Sequence, residues 1–465
     1  MNLYQLIQSR FPADRAKACF CLPDGRAVSY AMLEEGVGRA AALLRAKGVK
    51  PGDRVAAQVE KSVGSVMLYL ATLKVGAIYA PLNTAYTEAE LKYFIADLEP
   101  ALVVDDIRPF AGQSHAYAPD PVIEPVAQHD IAAIIYTSGT TGRSKGAMLS
   151  HANLAANAEA LIQTWGYTQE DVLLHALPIF HVHGLFIALH CALMTGSSML
   201  WLDKFSESEV LAALPRATVM MGVPTFYTRL LANPQFTREA ASHMRVFISG
   251  SAPLLESTFS QFEARTGKRI LERYGMSEAV IITSNPLNGE RVAGSVGFAL
   301  PGVQLRIEGG EIGAIEIKGP SVFAGYWRNP EKTAEDFTID GFFKTGDLGR
   351  QDRDGRVWIT GRAKDLIISG GYNVYPKEIE LVLDELPGVS ESAVIGVPHK
   401  DFGEGVVAVC IAEADEAAII TAAREKLANF KAPKRVVCVD ELPKNAMGKV
   451  QKNVLRARYK DLFAH

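Results

Sequence analysis

The chain has 465 residues, 48% of them apolar and 22% charged, with a formal net charge of −4. That length calls for more than one domain, the composition is that of an ordinary globular protein, and the charge balance offers no basic field for nucleic acid. Five cysteines, Cys19, Cys21, Cys191, Cys410 and Cys438, are too few and too scattered for a disulfide framework or a zinc site, so a reducing, cytoplasmic interior is expected.

The opening residues, MNLYQLIQSRFPADRAK, lack the long apolar core of a secretory signal. RVAAQVE (54–60) reads as a strand, and SVGSVMLYLATLKVG as a mostly buried helix closing at Gly76. Thr87 and Glu90 carry the spacing of a capping box ahead of LKYFIADL, and ALVVDD (101–106) returns as a strand. Residues 136–150, YTSGTTGRSKGAMLS, gather hydroxyls and glycines around Arg143 and Lys145. A Walker A loop needs Gly-Lys-Ser/Thr five residues after its first glycine, but Ser144 stands there for Gly139 and Ala147 for Gly142. A loop of this kind can still wrap a polyphosphate with backbone N–H and hydroxyl donors; a plain surface loop is the other reading.

GLFIALHCALMTGSSMLWL (184–202) is barely long enough to span a bilayer, and Gly196 interrupts it. It reads as a buried helix, a glycine stop and a buried strand, so no membrane partner is expected. ATVMMG (217–222), MRVFISG (244–250) and RILERYG (269–275) are short apolar runs ending in small or polar residues. Strands alternating with helices predict an α/β fold with mostly parallel sheets, whose ligands bind beyond the carboxyl ends of the strands. Near Gly341 the texture changes to Gly- and Asp-rich hairpins, with Asp354-Gly355 as a turn signal. About a hundred residues beyond Arg362 suffice for a small α+β domain, with a hinge around 362–365. The expected organisation is a large domain over 1–363 and a small one over 364–465.

The string YTSGTTGRSKGAMLSH resembles the phosphate loop of the adenylate-forming superfamily, which holds acyl-CoA synthetases, luciferases and peptide-synthetase adenylation domains. ERYGMSE, GYWRNPEKT, FFKTGDLG, GRAKDLIISGGYNVYPKEIE and NAMGKVQK resemble its other signatures, in the same order and over nearly the whole chain. The resemblance implies a large N-terminal adenylate-forming domain, a small mobile C-terminal domain, and ATP, Mg²⁺ and coenzyme A as reactants. It implies that Thr137, Ser138, Gly139, Thr140, Thr141, Gly142 and Lys145 hold the phosphates. Glu278 matches the Mg²⁺ carboxylate. Ser251, Ala252, Glu272, Arg273, Tyr274, Gly275, Met276 and Ser277 match the adenine pocket, and Asp347 and Arg362 the ribose contacts. Lys449 matches the catalytic lysine, Lys364 the hinge, and Ser369, Gly370 and Gly371 the coenzyme A segment. From residues alone, Asp347 is a turn aspartate and Lys449 one exposed lysine among many.

Several strings, among them HALPIFHVHGLF, MGVPTFYTRLL, FISGSAPLL and SNPLNGERVAGSVG, resemble the malonate-activating branch of the superfamily. That likeness implies that His183, Arg229 and Ser251 receive malonate, with the Arg229 fork on its far carboxylate. On residues alone Arg229 reads as a helix-surface arginine and His183 as a satisfied core histidine. Residues 106–128 and the turn IEGGEIG are shorter than the family pattern and read as trimmed surface loops. Alternatives are a methylmalonyl- or other short-chain acyl-CoA synthetase, an adenylation domain loading a carrier protein, and a non-catalytic nucleotide-binding relative. No carrier segment follows Lys452, which favours a free-standing CoA ligase, and acetylation of Lys449 is a plausible regulatory modification.

Overall fold

The computed structural model describes residues 1–137, 144–445 and 448–463. The chain divides into two compact units, Met1–Leu305 with Ile317–Phe343, and Arg306–Glu316 with Lys344–His465. The boundary expected at residue 364 falls inside the second of these.

The first unit is built on two sheets. One has six strands, in the order Gly325–Tyr326, Lys145–Ser150, Ile131–Thr137, Ile78–Pro81, Arg54–Ala57, Leu102–Val104. The last four run parallel, as the buried, β-branched runs require. The first two are antiparallel additions; Lys145–Ser150 lies within the string read as a loop. The other sheet has nine strands, of which six run parallel: Leu271–Tyr274, Val246–Ser249, Val219–Gly222, Val172–His175, Ser198–Trp201 and Ala18–Cys21.

Local signals behave as their chemistry dictates. Thr87 caps helix Glu88–Leu98, its N–H donating to Glu90 Oε2 at 2.9 Å while Glu90 N–H donates back to Thr87 Oγ1 at 3.3 Å. The apolar run 184–202 is a π-helix, His183–Ala188, continued by helix Leu189–Thr195, closed by Gly196 at φ 67° and followed by strand Ser198–Trp201. Among the described residues no helix is long and apolar enough to cross a membrane. Beneath the nine-stranded sheet, Tyr227, Phe236, Phe247 and Phe262 form a fully buried aromatic cluster with ring centroids 4.9–6.3 Å apart.

The second unit holds most of a four-stranded sheet, Gln304–Glu308, Gly313–Lys318, Phe343–Gln351, Val357–Arg362, and a five-stranded one. The turn between the first two strands is closed by Gly309 and Gly310 at positive φ. In the five-stranded sheet the long hairpin Val389–His399 and Gly403–Ala412 is central. Helices Pro376–Leu383 and Glu416–Lys426 cover one face through Ile379, Leu383, Ile419 and Ala423. Leu455, on helix Lys452–Tyr459, packs with Ala393, Ile395 and Val407 in a separate core.

Candidate active site

In the first unit, strand pairing brings the phosphate-loop ends together. Thr137 and Lys145 stand opposite each other as the last partners of their antiparallel ladder. The intervening Ser138, Gly139, Thr140, Thr141 and Gly142 lie outside the described residues. Lys145 Nζ sits 5.2 Å from the centre of the Tyr326 ring, whose hydroxyl donates to Glu278 Oε1 at 3.2 Å. A cation, a phenol and a buried carboxylate are thereby joined. Burial and the neighbouring Glu278 carboxylate push the Tyr326 hydroxyl pKa up, so it stays a donor.

Glu278 belongs to the turn that follows strand Leu271–Tyr274. That turn folds back so tightly that a Cβ on Gly275 would lie 2.0 Å from the Val280 carbonyl oxygen. Val280 is driven to φ 58°, a backbone region that a β-branched side chain strongly disfavours. Tyr274, Gly275, Met276 and Ser277 are half-buried along this turn. Glu272 accepts from the backbone N–H of Leu254 at 3.1 Å, and so braces the loop that carries Ser251 and Ala252. Ser251 itself is left-handed, at φ 69°.

Arg273, expected among the adenine residues, lies elsewhere in character. Its guanidinium packs on Gly250, where a Cβ would meet Cζ at 2.4 Å. The residue is 4% exposed, and its Nε and Nη2 have no hydrogen-bond partner among the described residues. Burial lowers its pKa to about 9, which leaves it charged at neutral pH. His183 is 2% exposed; its Nδ1 lies 3.2 Å from Ser251 Oγ, and its Nε2 has no partner among the described residues. Burial first, then the Arg273 charge, hold the His183 pKa well below 6.5, so the ring is neutral. His183, at the start of the π-helix, Ser251 and Arg273 thus form one cluster with unmet polar atoms.

Arg229 is not tied into this cluster. Tyr227 and Leu230 bury one face of helix Pro224–Ala232, and Tyr227 anchors it by donating to the Ile248 carbonyl at 2.6 Å. Arg229 then points outward, 54% exposed, its Nε on Glu207 Oε1 at 2.5 Å and its guanidinium over the Phe205 ring. Of the three residues expected to meet malonate, the structure brings together His183 and Ser251. Near them stands Arg273, expected among the adenine residues, whose charge acts on His183. Its side-chain direction on a buried strand end could not be told from its string.

In the second unit, Asp347 and Arg362 are direct cross-strand partners, with Nε 2.6 Å from Oδ1. Asp347 is 3% exposed, and its own N–H donates to Thr345 Oγ1. Lys364 lies in the short 3₁₀ turn Ala363–Asp365, and burial lowers its pKa. Asp365 pairs with Arg456 of helix Lys452–Tyr459 at 2.6 Å. Gly370 and Gly371, at φ 59° and 83°, form the two-residue turn between strands Ile367–Ser369 and Tyr372–Val374. Both central residues need positive φ there, which explains the glycine pair. Lys449 is exposed, in a turn where its N–H donates to Asn445 Oδ1 at 3.0 Å and Gly448 takes φ 73°.

Residues 7–327 match the family of AMP-binding enzymes, and residues 378–449 match the AMP-binding enzyme C-terminal domain. The chain belongs to the AMP-binding enzyme family. Within that family, a crystal structure of ATP-bound MatB from Rhodopseudomonas palustris shares 51% identity with this chain over 99% of both, with a TM-score of 0.94. The malonate–CoA ligase of Arabidopsis thaliana is 37% identical, covering 88% of this chain and 78% of its own. A feruloyl-CoA synthase from an Amycolatopsis species is 34% identical over 94% of each. The family thus includes relatives of similar identity that carry different acids.

Among the described residues no three His, Cys, Asp or Glu side chains are grouped to hold a metal ion. Glu278 is a single buried carboxylate, linked to Lys145 through Tyr326.

Proposed function

We propose that the chain is a malonate–CoA ligase: it joins malonate to coenzyme A at the expense of ATP, through malonyl-AMP, releasing pyrophosphate and AMP. The observation that carries the choice of acid is the buried Arg273 guanidinium with two unpartnered nitrogens beside the neutral, unpartnered Nε2 of His183. A carboxylate on the far end of the acid satisfies both. A methyl end would leave a buried charge and an imidazole unmet, which strongly disfavours fatty acids. The 51% identity to MatB and the 37% identity to a plant malonate–CoA ligase support the same reading.

In the first half-reaction a malonate carboxylate oxygen attacks the α-phosphorus of ATP, and pyrophosphate leaves. Thr137, Lys145 and the loop residues 138–142 hold the β- and γ-phosphates. Glu278 would hold a Mg²⁺ ion, which would supply neutralising charge. Tyr326 fixes one oxygen of Glu278. Ser251, Ala252 and Tyr274 to Ser277 line the base, Asp347 and Arg362 hold the ribose, and Lys449 donates to the reacting carboxylate and the α-phosphate. In the second half-reaction the thiol sulfur of coenzyme A attacks the acyl carbon and AMP leaves; Ser369, Gly370 and Gly371 serve this step, and Lys364 is the pivot between the two. His183 and Ser251 orient the acid with Arg273; Arg229 reaches it only by releasing Glu207. All five cysteines are unpaired, which supports a reducing, cytoplasmic setting.

The test is pyrophosphate release with acetate, malonate, methylmalonate and succinate, each with and without coenzyme A. Malonate-dependent release followed by malonyl-CoA formation is expected. Release with no thioester, or a preference for acetate, would overturn the reading.

A further inference from the structure

Lys61 precedes helix Val63–Lys74 and is absorbed by none of the roles above. Its ammonium donates to His175 Nδ1 at 3.0 Å, to the His175 carbonyl at 2.8 Å and to the Leu202 carbonyl at 2.5 Å, and lies 4.2 Å from the centre of the Trp201 ring. Three acceptors and an aromatic face use every donor that an ammonium has. His175 is 1% exposed on strand Val172–His175, and its Nε2 lies 3.0 Å from the carbonyl oxygen of Gly184. A carbonyl can only accept, so Nε2 carries the ring proton and Nδ1 is the bare nitrogen that Lys61 meets. Both contacts call for the same tautomer.

Gly184 is the second residue of the π-helix, and its carbonyl also accepts from the backbone N–H of Leu189, the five-residue bond of that helix. A Cβ at Gly184 would lie 2.0 Å from the Pro178 carbonyl, so the first turn is seated hard against the preceding segment. His183 is the residue immediately before. A π-turn is an irregularity inside a helix, frequent at functional sites, and a bond from another element adds to its own. His175 supplies one at the turn that carries His183.

We propose that Lys61 and His175 are positioning residues for acid selection: together they hold the π-turn and thereby fix where the His183 imidazole stands. The proposal deepens the malonate reading and rests on His183 belonging to the acid pocket.

Two amides separate the contacts of His175. In His175→Asn the amide oxygen replaces Nδ1 and keeps Lys61, but no donor reaches Gly184. In His175→Gln the amide nitrogen replaces Nε2 and keeps the Gly184 bond. Lys61→Met removes the donor that supports this tautomer from the Nδ1 side. His175→Asn and Lys61→Met are expected to raise KM for malonate by about 10- to 100-fold, the scale for a small misplacement of a positioning group. KM for ATP should stay within about twofold, since neither residue is among those assigned to the nucleotide. His175→Gln should keep most of the wild-type malonate-to-acetate ratio of kcat/KM. A merely structural role would lower Tm in all three and leave that ratio unchanged, which would overturn the proposal.

His183→Ala is the control. If it leaves the acid ratio intact, the malonate reading of the pocket fails. If it shifts the ratio while the His175 and Lys61 variants do not, only the positioning proposal fails. Should these variants not fold, ¹⁵N shifts of the wild-type histidine rings decide: His175 with protonated Nε2 and bare Nδ1 is expected, and the opposite tautomer sinks the relay.

Discussion

Asp347 and Arg362 face each other across one antiparallel pair, with the guanidinium Nε 2.6 Å from the carboxylate Oδ1. The register of strands Phe343–Gln351 and Val357–Arg362 therefore organises both groups before any ligand arrives. A charged acceptor for two sugar hydroxyls contributes roughly 1.5–3 kcal/mol. Asp347→Asn is expected to raise KM for ATP about 10- to 100-fold while KM for malonate stays constant. An unchanged KM for ATP would remove Asp347 from the nucleotide site.

Arg273 and Arg229 make opposite predictions. Removing a buried charge partner costs about 3–5 kcal/mol, reduced where water enters. Arg273→Met, which keeps volume, is expected to lower kcat/KM for malonate by roughly 30- to 1000-fold and to affect acetate far less. Arg229→Ala breaks an exposed pair with Glu207 and should cost malonate less than about tenfold, the scale of a screened surface contact. Reversal of that order would return the far carboxylate to Arg229.

Lys449 divides the half-reactions. Lys449→Ala is expected to lower malonate-dependent pyrophosphate release by about 10²–10³-fold, the scale for losing a transition-state donor. Thioester formation from supplied malonyl-AMP should survive. Acetylation removes the same charge and should reproduce the variant. Equal loss in both assays contradicts the division.

Lys364→Pro tests the pivot. Proline fixes φ and removes a donor in the 3₁₀ turn Ala363–Asp365. One half-reaction is expected to persist while the other collapses. If both rates match the wild type, the pivot lies at another residue of 362–369.

Four buried histidines predict acid sensitivity. Burial lowers His151 to about 4 and His190 to about 3, and holds His175 and His183 well below 6.5. Below pH 6.5 the unfolded chain therefore binds protons that the folded chain refuses. Stability is full above 6.5 and is lost as pH falls, by up to about 1.4 kcal/mol per pH unit for each fully responding ring. The urea midpoint should drop between pH 6.5 and 5, before most carboxylates titrate. A flat profile there would show that these rings are already charged in the folded protein.

Much of this was legible in sequence where a local rule decides. The Thr87–Glu90 box, the Asp354-Gly355 turn and the stop at Gly196 need only neighbouring residues. Positions where partners lie far apart in sequence were not legible. Helix spacing buries Tyr227 and Leu230, which turns Arg229 outward; the pairing with Glu207, 22 residues away, depends on tertiary structure. The direction of Arg273 depends on Gly250, just past the neighbouring strand Val246–Ser249. Residues 183–195 read as one helix because a π-turn has no composition of its own; its bond to His175 comes from another element.

Val280 sets heat tolerance against turnover. Its left-handed backbone costs a branched side chain roughly 1–3 kcal/mol, and Val280→Gly removes that strain. The same change frees the turn that clasps Gly275 and carries Glu278. A mutant library sorted only for surviving heat is therefore expected to collect glycine at 280 and to lose ATP chemistry as it does so. Sorting the library for malonyl-CoA output should keep the valine, at a lower melting temperature.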